Sequence, residues 1–318
     1  MNRTKTTLTM FAVIVAGCDA ATPVQQDEPP AITQQAEPAA TLPEPTTSQV
    51  IQSDHGKPDT SLTIIGWNIE SGGNDPLVIA SQIEKLDCDV LALNEVIERN
   101  FELYNQAFQI GSNCKDVSVC IPTGSGRGDK LAIYFDAGRF EFIGTREMNS
   151  YRDYQLNDGN HRSPLYVMLK DRQTGFEFIV MTNHLARRSE WLRQRQAAGL
   201  REWARDSNIP IIALGDFNFD YSFAKHQGNE SFVEFMRDGI WDWIVPEPLI
   251  DTQWSDDNGT DRYPDSLLDF AFVANGAKEL NARCSVLVTP GDFPDTEQTS
   301  DHRPVKLVVE LPNDERGP

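Results

Sequence analysis

Apolar residues along this chain gather in short runs, and several runs end on polar residues of a few recurring kinds. Ile64-Ile65-Gly66-Trp67 leads into Asn68, and Val90-Leu91-Ala92-Leu93 leads into Asn94-Glu95. Phe178-Ile179-Val180-Met181-Thr182 leads into Asn183-His184, and Ile211-Ile212-Ala213-Leu214-Gly215 into Asp216-Phe217-Asn218. Runs this short, bounded by polar residues and without a helical period, predict buried strands. A buried strand that ends on a carboxylate, an amide or an imidazole is a rigid platform aimed at a cleft. Ser300-Asp301-His302 supplies a fifth polar group, just ahead of the strand-like run Val305 to Leu311. Asp-x-Asn also opens ordinary turns, so one such tip is a modest signal and the ordered series is the stronger one.

The same pattern predicts the remaining elements. Leu62 to Trp67 and Val90 to Leu93 read as strands. So do Leu131 to Phe135 and Phe140 to Gly144, expected to pair through Asp136-Ala137-Gly138. Leu165 to Leu169 and Phe176 to Thr182 form a second expected pair, followed by Ile209 to Leu214, Leu267 to Val273, Cys284 to Thr289 and Val305 to Leu311. Helices are predicted over Pro76 to Leu86, with proline in the first turn, over Ser189 to Arg205, with a serine cap, and over Ser231 to Arg237. Gly111 to Gly128 reads as a long polar loop. Strands in pairs with few helices between them favour a mainly antiparallel sandwich over a doubly wound sheet.

The N-terminus breaks this pattern. Residues 1–17 carry Arg3 and Lys5, no acid, and an apolar run from Leu8 to Val15 that is too short to span a bilayer, the signature of a signal peptide. Val15-Ala16-Gly17-Cys18 resembles a lipobox, which would place a lipid on Cys18 and anchor the exported protein on a membrane, facing the periplasm or the cell exterior. Plain secretion after cleavage near Ala16 or Ala20 is the alternative. Residues 18–60 are rich in Pro, Gln, Ala, Thr and Glu and read as a disordered tether. That leaves 61–312 as one catalytic-sized domain, expected to be monomeric, with a short tail over 313–318.

Charge and cysteine content adjust the picture. The net charge is −20, from 28 basic and 48 acidic residues; 1–60 hold three basic and seven acidic residues, which leaves −16 for the rest. Polyanions are normally met by a basic surface. Arg187, Arg188, Arg193, Arg195, Arg201 and Arg205 gather after His184; Arg201 and Arg205 read as a solvated helix face, whereas Arg187 and Arg188 follow a site strand directly. With Cys18 lipidated, four cysteines remain; Cys114 and Cys120 enclose a short loop and are expected to pair, while Cys88 and Cys284 either pair or stand as core thiols.

The strand tips together offer hard oxygen ligands for one divalent metal, two imidazoles and two amides. Hydrolysis of a phosphate ester needs that mixture: a metal to neutralise developing charge, a base for water and an acid for the leaving oxygen. The order WN…E…NHL…GDFN…SDH resembles the endonuclease/exonuclease/phosphatase superfamily over about Ser61 to Leu311. The resemblance implies an α+β fold, a four-layer sandwich of two mostly antiparallel sheets flanked by helices, and an Mg²⁺ (or Mn²⁺) cofactor. It implies Glu95 as the main metal ligand, with Asn68 on the metal or a phosphate oxygen, and Asp301 as a further ligand, direct or through water. It implies Asp216 as the group that orients or deprotonates water, Asn218 as a phosphate-binding amide, and Asp269 as the partner of His302. His184 would be the acid for the leaving oxygen, with Asp129 as its candidate carboxylate partner, and Arg162 would touch a phosphate.

Within the superfamily, Phe219-Asp220 after GDFN and Leu268-Asp269-Phe270 depart from the inositol-phosphatase pattern, and His184 departs from that of the abasic-site enzymes. A deoxyribonuclease-like phosphodiesterase acting on nucleic acid is the leading expectation. A sphingomyelinase-like lipid phosphodiesterase, or a phosphomonoesterase, is the alternative, and a non-catalytic surface binding module is the remote one. Trp241 and Trp243 could face a bilayer for a lipid enzyme, though a core position suits them better.

Overall fold

The computed structural model describes residues 60–71, 73–120, 128–157, 162–254, 265–290, 292 and 298–312. The expected signal peptide, Cys18, the tether up to residue 59 and the tail lie outside these residues, and among the described residues no helix is long and apolar enough to cross a membrane. In chain order the elements are β1 (Ser61–Asn68), α1 (Pro76–Ile83), β2 (Val90–Val96), α2 (Phe101–Gly111), β3 (Val117–Cys120) and β4 (Lys130–Asp136). Then come β5 (Phe140–Glu147), β6 (Ser150–Tyr151), β7 (Tyr154–Gln155), β8 (Leu165–Asp171), β9 (Glu177–His184) and α3 (Glu190–Asp206). The chain closes with β10 (Ile211–Tyr221), α4 (Glu230–Met236), β11 (Trp241–Trp243), β12 (Leu267–Ala274), β13 (Asn281–Val286) and β14 (Val305–Glu310).

Two six-stranded sheets form, ordered β13-β14-β1-β2-β4-β3 and β11-β12-β10-β9-β8-β5. Each is antiparallel except at one central pair, β1 with β2 and β9 with β10. These four central strands are covered on both faces, so they read as unbroken apolar runs rather than as alternating patterns. Leu62, Ile64, Val90 and Ala92 of one sheet meet Val180, Ile212, Leu214 and Val273 of the other in the interior. On the outer face of the first sheet, Ile65, Trp67, Leu91 and Leu93 pack under Ile79 and Ile83 of α1 and Tyr104 and Phe108 of α2. On the outer face of the second, Ile179, Met181, Phe217, Phe219 and Phe272 pack under Leu200 and Ala204 of α3 and Phe235 of α4. The result is the helix–sheet–sheet–helix sandwich.

Three expectations are corrected. β4 and β5 are not a hairpin: β4 pairs with β2 and β3 in the first sheet, and β5 pairs with β8 in the second, so the tight Asp136–Arg139 turn carries the chain from one sheet to the other. The stretch before and within the expected long loop is structured, as α2 and β3. Cys114 and Cys120 are free thiols, because Cys114 sits in the outer cluster beneath α1 and α2 whereas Cys120 faces the interior between the sheets. Cys88 and Cys284 are likewise separate core thiols, in the outer and inner clusters. Burial pushes the Cys88 and Cys284 thiols up, which keeps them protonated and unreactive.

Candidate active site

Both site-bearing sheets bend where their functional groups lie. The β2–β4 register shifts between Leu93 and Val96, and Glu95 there takes a left-handed backbone, φ 63°. The β10–β12 register shifts between Asp216 and Tyr221, with Asn218 at φ 53°. A bulge of this kind ends the ladder and re-aims a side chain. It explains how an acidic tip can leave a strand that is otherwise apolar on both sides.

The tips converge. Asn68 Nδ2 lies 3.2 Å from Asp216 Oδ2 and 3.4 Å from Glu95 Oε1, joining one sheet to the other. His184 sits between the same two carboxylates, with Nε2 3.4 Å from Asp216 Oδ2 and Nδ1 3.6 Å from Glu95 Oε1. His302 Nδ1 lies 2.7 Å from Asp269 Oδ2, and Asp269 stands directly across from Asp216 in the β10–β12 ladder. Asp301 Oδ1 is 3.8 Å from His302 Nε2. Asn218 Nδ2 donates to the Leu185 carbonyl at 3.0 Å, which fixes the amide and leaves its second N–H for another acceptor. The seven residues expected at the strand tips, together with Asp269, expected as the partner of His302, therefore gather at one end of the sandwich.

Arg162 belongs to the same cluster. Its Nη2 lies 2.7 and 2.6 Å from the two ring nitrogens of His184 and 3.8 Å from Glu95 Oε1, while Nη1 donates to Asp129 Oδ2 at 2.6 Å. The link expected between Asp129 and His184 is thus indirect. The guanidinium stands between them because it has five donors for two groups that accept.

A layer of buried polar residues holds these groups. Asn94 accepts from the Asp216 backbone N–H at 3.1 Å and donates to Thr182 Oγ1 at 2.9 Å, tying β2 to β9 and β10 across the interior. Thr252 Oγ1 donates to Asp269 Oδ2 at 2.8 Å. Ser300 Oγ donates to the Asn68 carbonyl at 2.6 Å and accepts from His302 N, and Trp67 Nε1 donates to the His302 carbonyl at 2.8 Å. Gly215, at φ 122°, has no room for a side chain, since a Cβ would lie 2.3 Å from the Asn183 carbonyl oxygen.

Burial sets the protonation of the site. It pushes the Asp216 carboxyl well above the usual carboxylate range; neighbouring Asp269 adds to this and His302 opposes it. Burial alone would lower the His302 imidazole, but the adjoining Asp269 outweighs it and raises it to about 10. Glu70 is pushed up to about 7, by burial and by Asp301 beside it. Sequence reasoning passed over Glu70. It lies two residues beyond Asn68, in the left-handed region at φ 53°, and its Oε2 accepts from the Asp301 backbone N–H at 3.0 Å. An acid directly after a strand tip was the available signal.

Asn68, Glu70, Glu95 and Asp301 offer hard oxygen donors suited to Mg²⁺ or Mn²⁺, and Asp301 Oδ1 is buried without a hydrogen-bond partner. Among the described residues no three histidine, cysteine or carboxylate side chains close around one point. The set therefore fits an ion held by one or two carboxylates with water and substrate oxygens completing its shell, which is how Mg²⁺ is usually bound.

The family model for the endonuclease/exonuclease/phosphatase family matches residues 65–302. The chain belongs to this family. Mouse nocturnin is 26% identical over 153 residues, 44% of this chain; the match spans about a third (35%) of the mouse protein's length. Among solved structures, an endonuclease/exonuclease/phosphatase family protein from Bacteroides thetaiotaomicron superposes with a TM-score of 0.60 at 18% identity, covering 81% of this chain and 98% of its own. TDP2 from D. rerio, complexed with a single-strand DNA product, superposes with a TM-score of 0.59 at 16% identity, covering 79% and 99%. At these identities the structural likeness concerns the fold. The family is one of phosphoric ester hydrolases.

Proposed function

We propose that this protein is a divalent-metal-dependent phosphodiesterase that hydrolyses its substrate by in-line attack of water, and that nucleic acid is its substrate. The observation that carries the reading is the convergence of two adjoining histidine–carboxylate groups, His184 with Asp216 and Glu95, and His302 with Asp269, on one buried floor. A bound divalent ion would neutralise charge on the phosphoryl oxygens, and Glu95, Asn68 and Asp301, with Glu70 beside them, are the residues that would hold it.

The chain's own groups then divide the work. Asp216 orients the attacking water and takes its proton; burial makes it a better base than an ordinary carboxylate. Asn218 and Arg162 donate to the phosphoryl oxygens. His302, kept protonated by Asp269, donates to a phosphoryl oxygen as negative charge builds there. His184 hands a proton to the leaving oxygen. Leaving-group protonation is what a diester with an alcohol leaving group needs most at neutral pH. The lipid alternative loses the feature offered for it: Trp241 is buried and Trp243 packs against Tyr221, Phe232 and Phe270 in the outer core. The sequence of residues 1–18 supports export and a lipid on Cys18, with activity outside the cytoplasm.

The test is nicking of plasmid DNA with Mg²⁺ or Mn²⁺, beside bis-(p-nitrophenyl) phosphate and a His184→Ala control. DNA cleavage that needs metal and disappears in the variant supports the reading. Turnover of the small diester alone would move the substrate away from nucleic acid, and turnover of neither would refute the phosphodiesterase reading.

A further inference from the structure

Residues 252–254 are wedged against the site, and the roles above use only the first of them. Gln253 bridges to His302 in the antiparallel sense. On either side of that bridge Trp254 N donates to the Asp301 carbonyl at 2.8 Å and Arg303 N to the Thr252 carbonyl at 2.7 Å. Along its other edge Gln253 exchanges backbone hydrogen bonds with Ser266, at 2.9 and 3.1 Å. Consecutive side chains of this segment then hold the two carboxylates that flank His302. Thr252 holds Asp269, which lies at Nδ1 of the ring, and Gln253 holds Asp301, which lies towards Nε2.

Gln253 is buried, with 8% of its surface exposed, and the orientation of its amide is forced. Nε2 lies 2.7 Å from the Trp254 carbonyl oxygen and 3.3 Å from Asp301 Oδ2. A carbonyl and a carboxylate only accept, so the group that faces them is the NH₂, and both of its hydrogens are used. The carbonyl oxygen Oε1 is left over, buried and without a donor among the described residues. Asp301 Oδ1 is in the same condition. A buried acceptor left unmet is costly, and a leucine would fill the same space without that cost. Two such acceptors, on side chains bonded to each other, fit a neighbour that brings positive charge and donors only. A divalent ion with water in its shell is such a neighbour, and hard oxygens of carboxylates and amides are what it takes.

We propose that Gln253 is a positioning residue for the divalent ion. Its Nε2 pins Asp301 Oδ2, which leaves Oδ1 to the ion, and its Oε1 accepts from water in the ion's shell. The inference rests on the metal reading of the site and adds to it a residue that touches neither the substrate nor the reacting atoms.

The test titrates the full chain with Mn²⁺ and follows the free ion by electron paramagnetic resonance, for the parent, Gln253→Leu, Asp301→Ala and the double variant. Gln253→Leu keeps the volume and loses the donors, and should weaken Mn²⁺ binding by about ten- to a hundredfold, the usual effect of losing a group that orients a metal ligand. Because Gln253 acts mainly through Asp301, the two losses should fall well short of adding in the double variant. Melting in EDTA separates loss of the ion from loss of the fold. Should Gln253→Leu not fold, Gln253→Asn, which draws the amide back from Asp301 by one methylene, carries the same expectation. A Gln253 variant that binds Mn²⁺ as the parent does while Asp301→Ala does not overturns the inference and leaves the metal reading standing, and so do losses that add in full. A parent that binds no Mn²⁺, or an Asp301→Ala variant that binds it undiminished, removes the metal reading at Asp301 and the inference with it.

Discussion

At the residue scale the site is a set of charges made tolerable by one another. His302 is buried, and burial alone would strip its proton; Asp269, 2.7 Å away, keeps it. Asp269→Asn removes the largest group that opposes the desolvation, so the His302 pKa in the metal-free protein should fall clearly from about 10, with Asp301 and Asp216 still supporting the charged form. Ring-proton NMR in EDTA reads this directly, and a titration unmoved by the substitution would refute the pairing. The sign for stability follows. A folded-state pKa above the unfolded one means that the pair stabilises fully below pH 6.5 and that this contribution fades as the pH climbs through about 10. Asp216→Asn should lower kcat by about 10²- to 10⁴-fold in the presence of metal, the usual range for losing a general base, with little change in substrate affinity. Seven of the eight convergent residues were legible in the sequence because each ends, or lies just ahead of, an apolar run; Asp269 sits inside such a run and was pointed to only by the family resemblance. Glu70 was not, because nothing in the linear chain shows that a left-handed turn folds it back onto Asp301. The insertion of Arg162 between Asp129 and His184 was hidden for the same reason: two loops and the end of β9 meet there only after folding.

Elements explain why those tips can converge. The parallel pairs β1–β2 and β9–β10 sit at the centre of their sheets, so four strand ends point the same way, and bulges at Glu95 and Asn218 turn the last side chains inward. Asn94 is the tie between the two pairs. Asn94→Ala leaves the Asp216 N–H and the Thr182 hydroxyl buried with a lost partner, at about 1–3 kcal/mol. Thermal unfolding should therefore begin several degrees lower, at roughly 2–4 °C per kcal/mol for a domain of this size. A melting temperature equal to the parent's would show that the tie carries no load. Strands buried on both faces were easy to find from their composition. Their partners were harder, since sequence adjacency suggested a β4–β5 hairpin that the fold splits between two sheets. Helix α2 escaped notice because its apolar residues Phe101, Tyr104, Ala107 and Phe108 cover a single stripe beside an otherwise polar stretch.

For the whole molecule the net charge sets the terms of access. A formal −20 makes the surface repel a polyanion at long range, whereas a nuclease with a basic face loses affinity steeply as salt rises. The buried site carries its own local attraction for phosphate through Arg162 and, in the proposed reading, a divalent ion. These contacts are short-range and less screened than the surface field. The two effects therefore separate with ionic strength. Between about 0.02 and 0.2 M salt the Debye length falls from roughly 20 Å to below 10 Å, so long-range repulsion fades first. KM for plasmid or oligonucleotide DNA should fall or stay level over that interval, while KM for bis-(p-nitrophenyl) phosphate, which carries one charge, stays nearly constant. A KM for DNA that rises with salt, with the log–log slope of several released counterions, would mean that a basic track crosses the surface after all. The arginines after His184 give the place to look: Arg188, exposed beside the site strand, would then be the first substitution, and its loss should flatten that slope by about one.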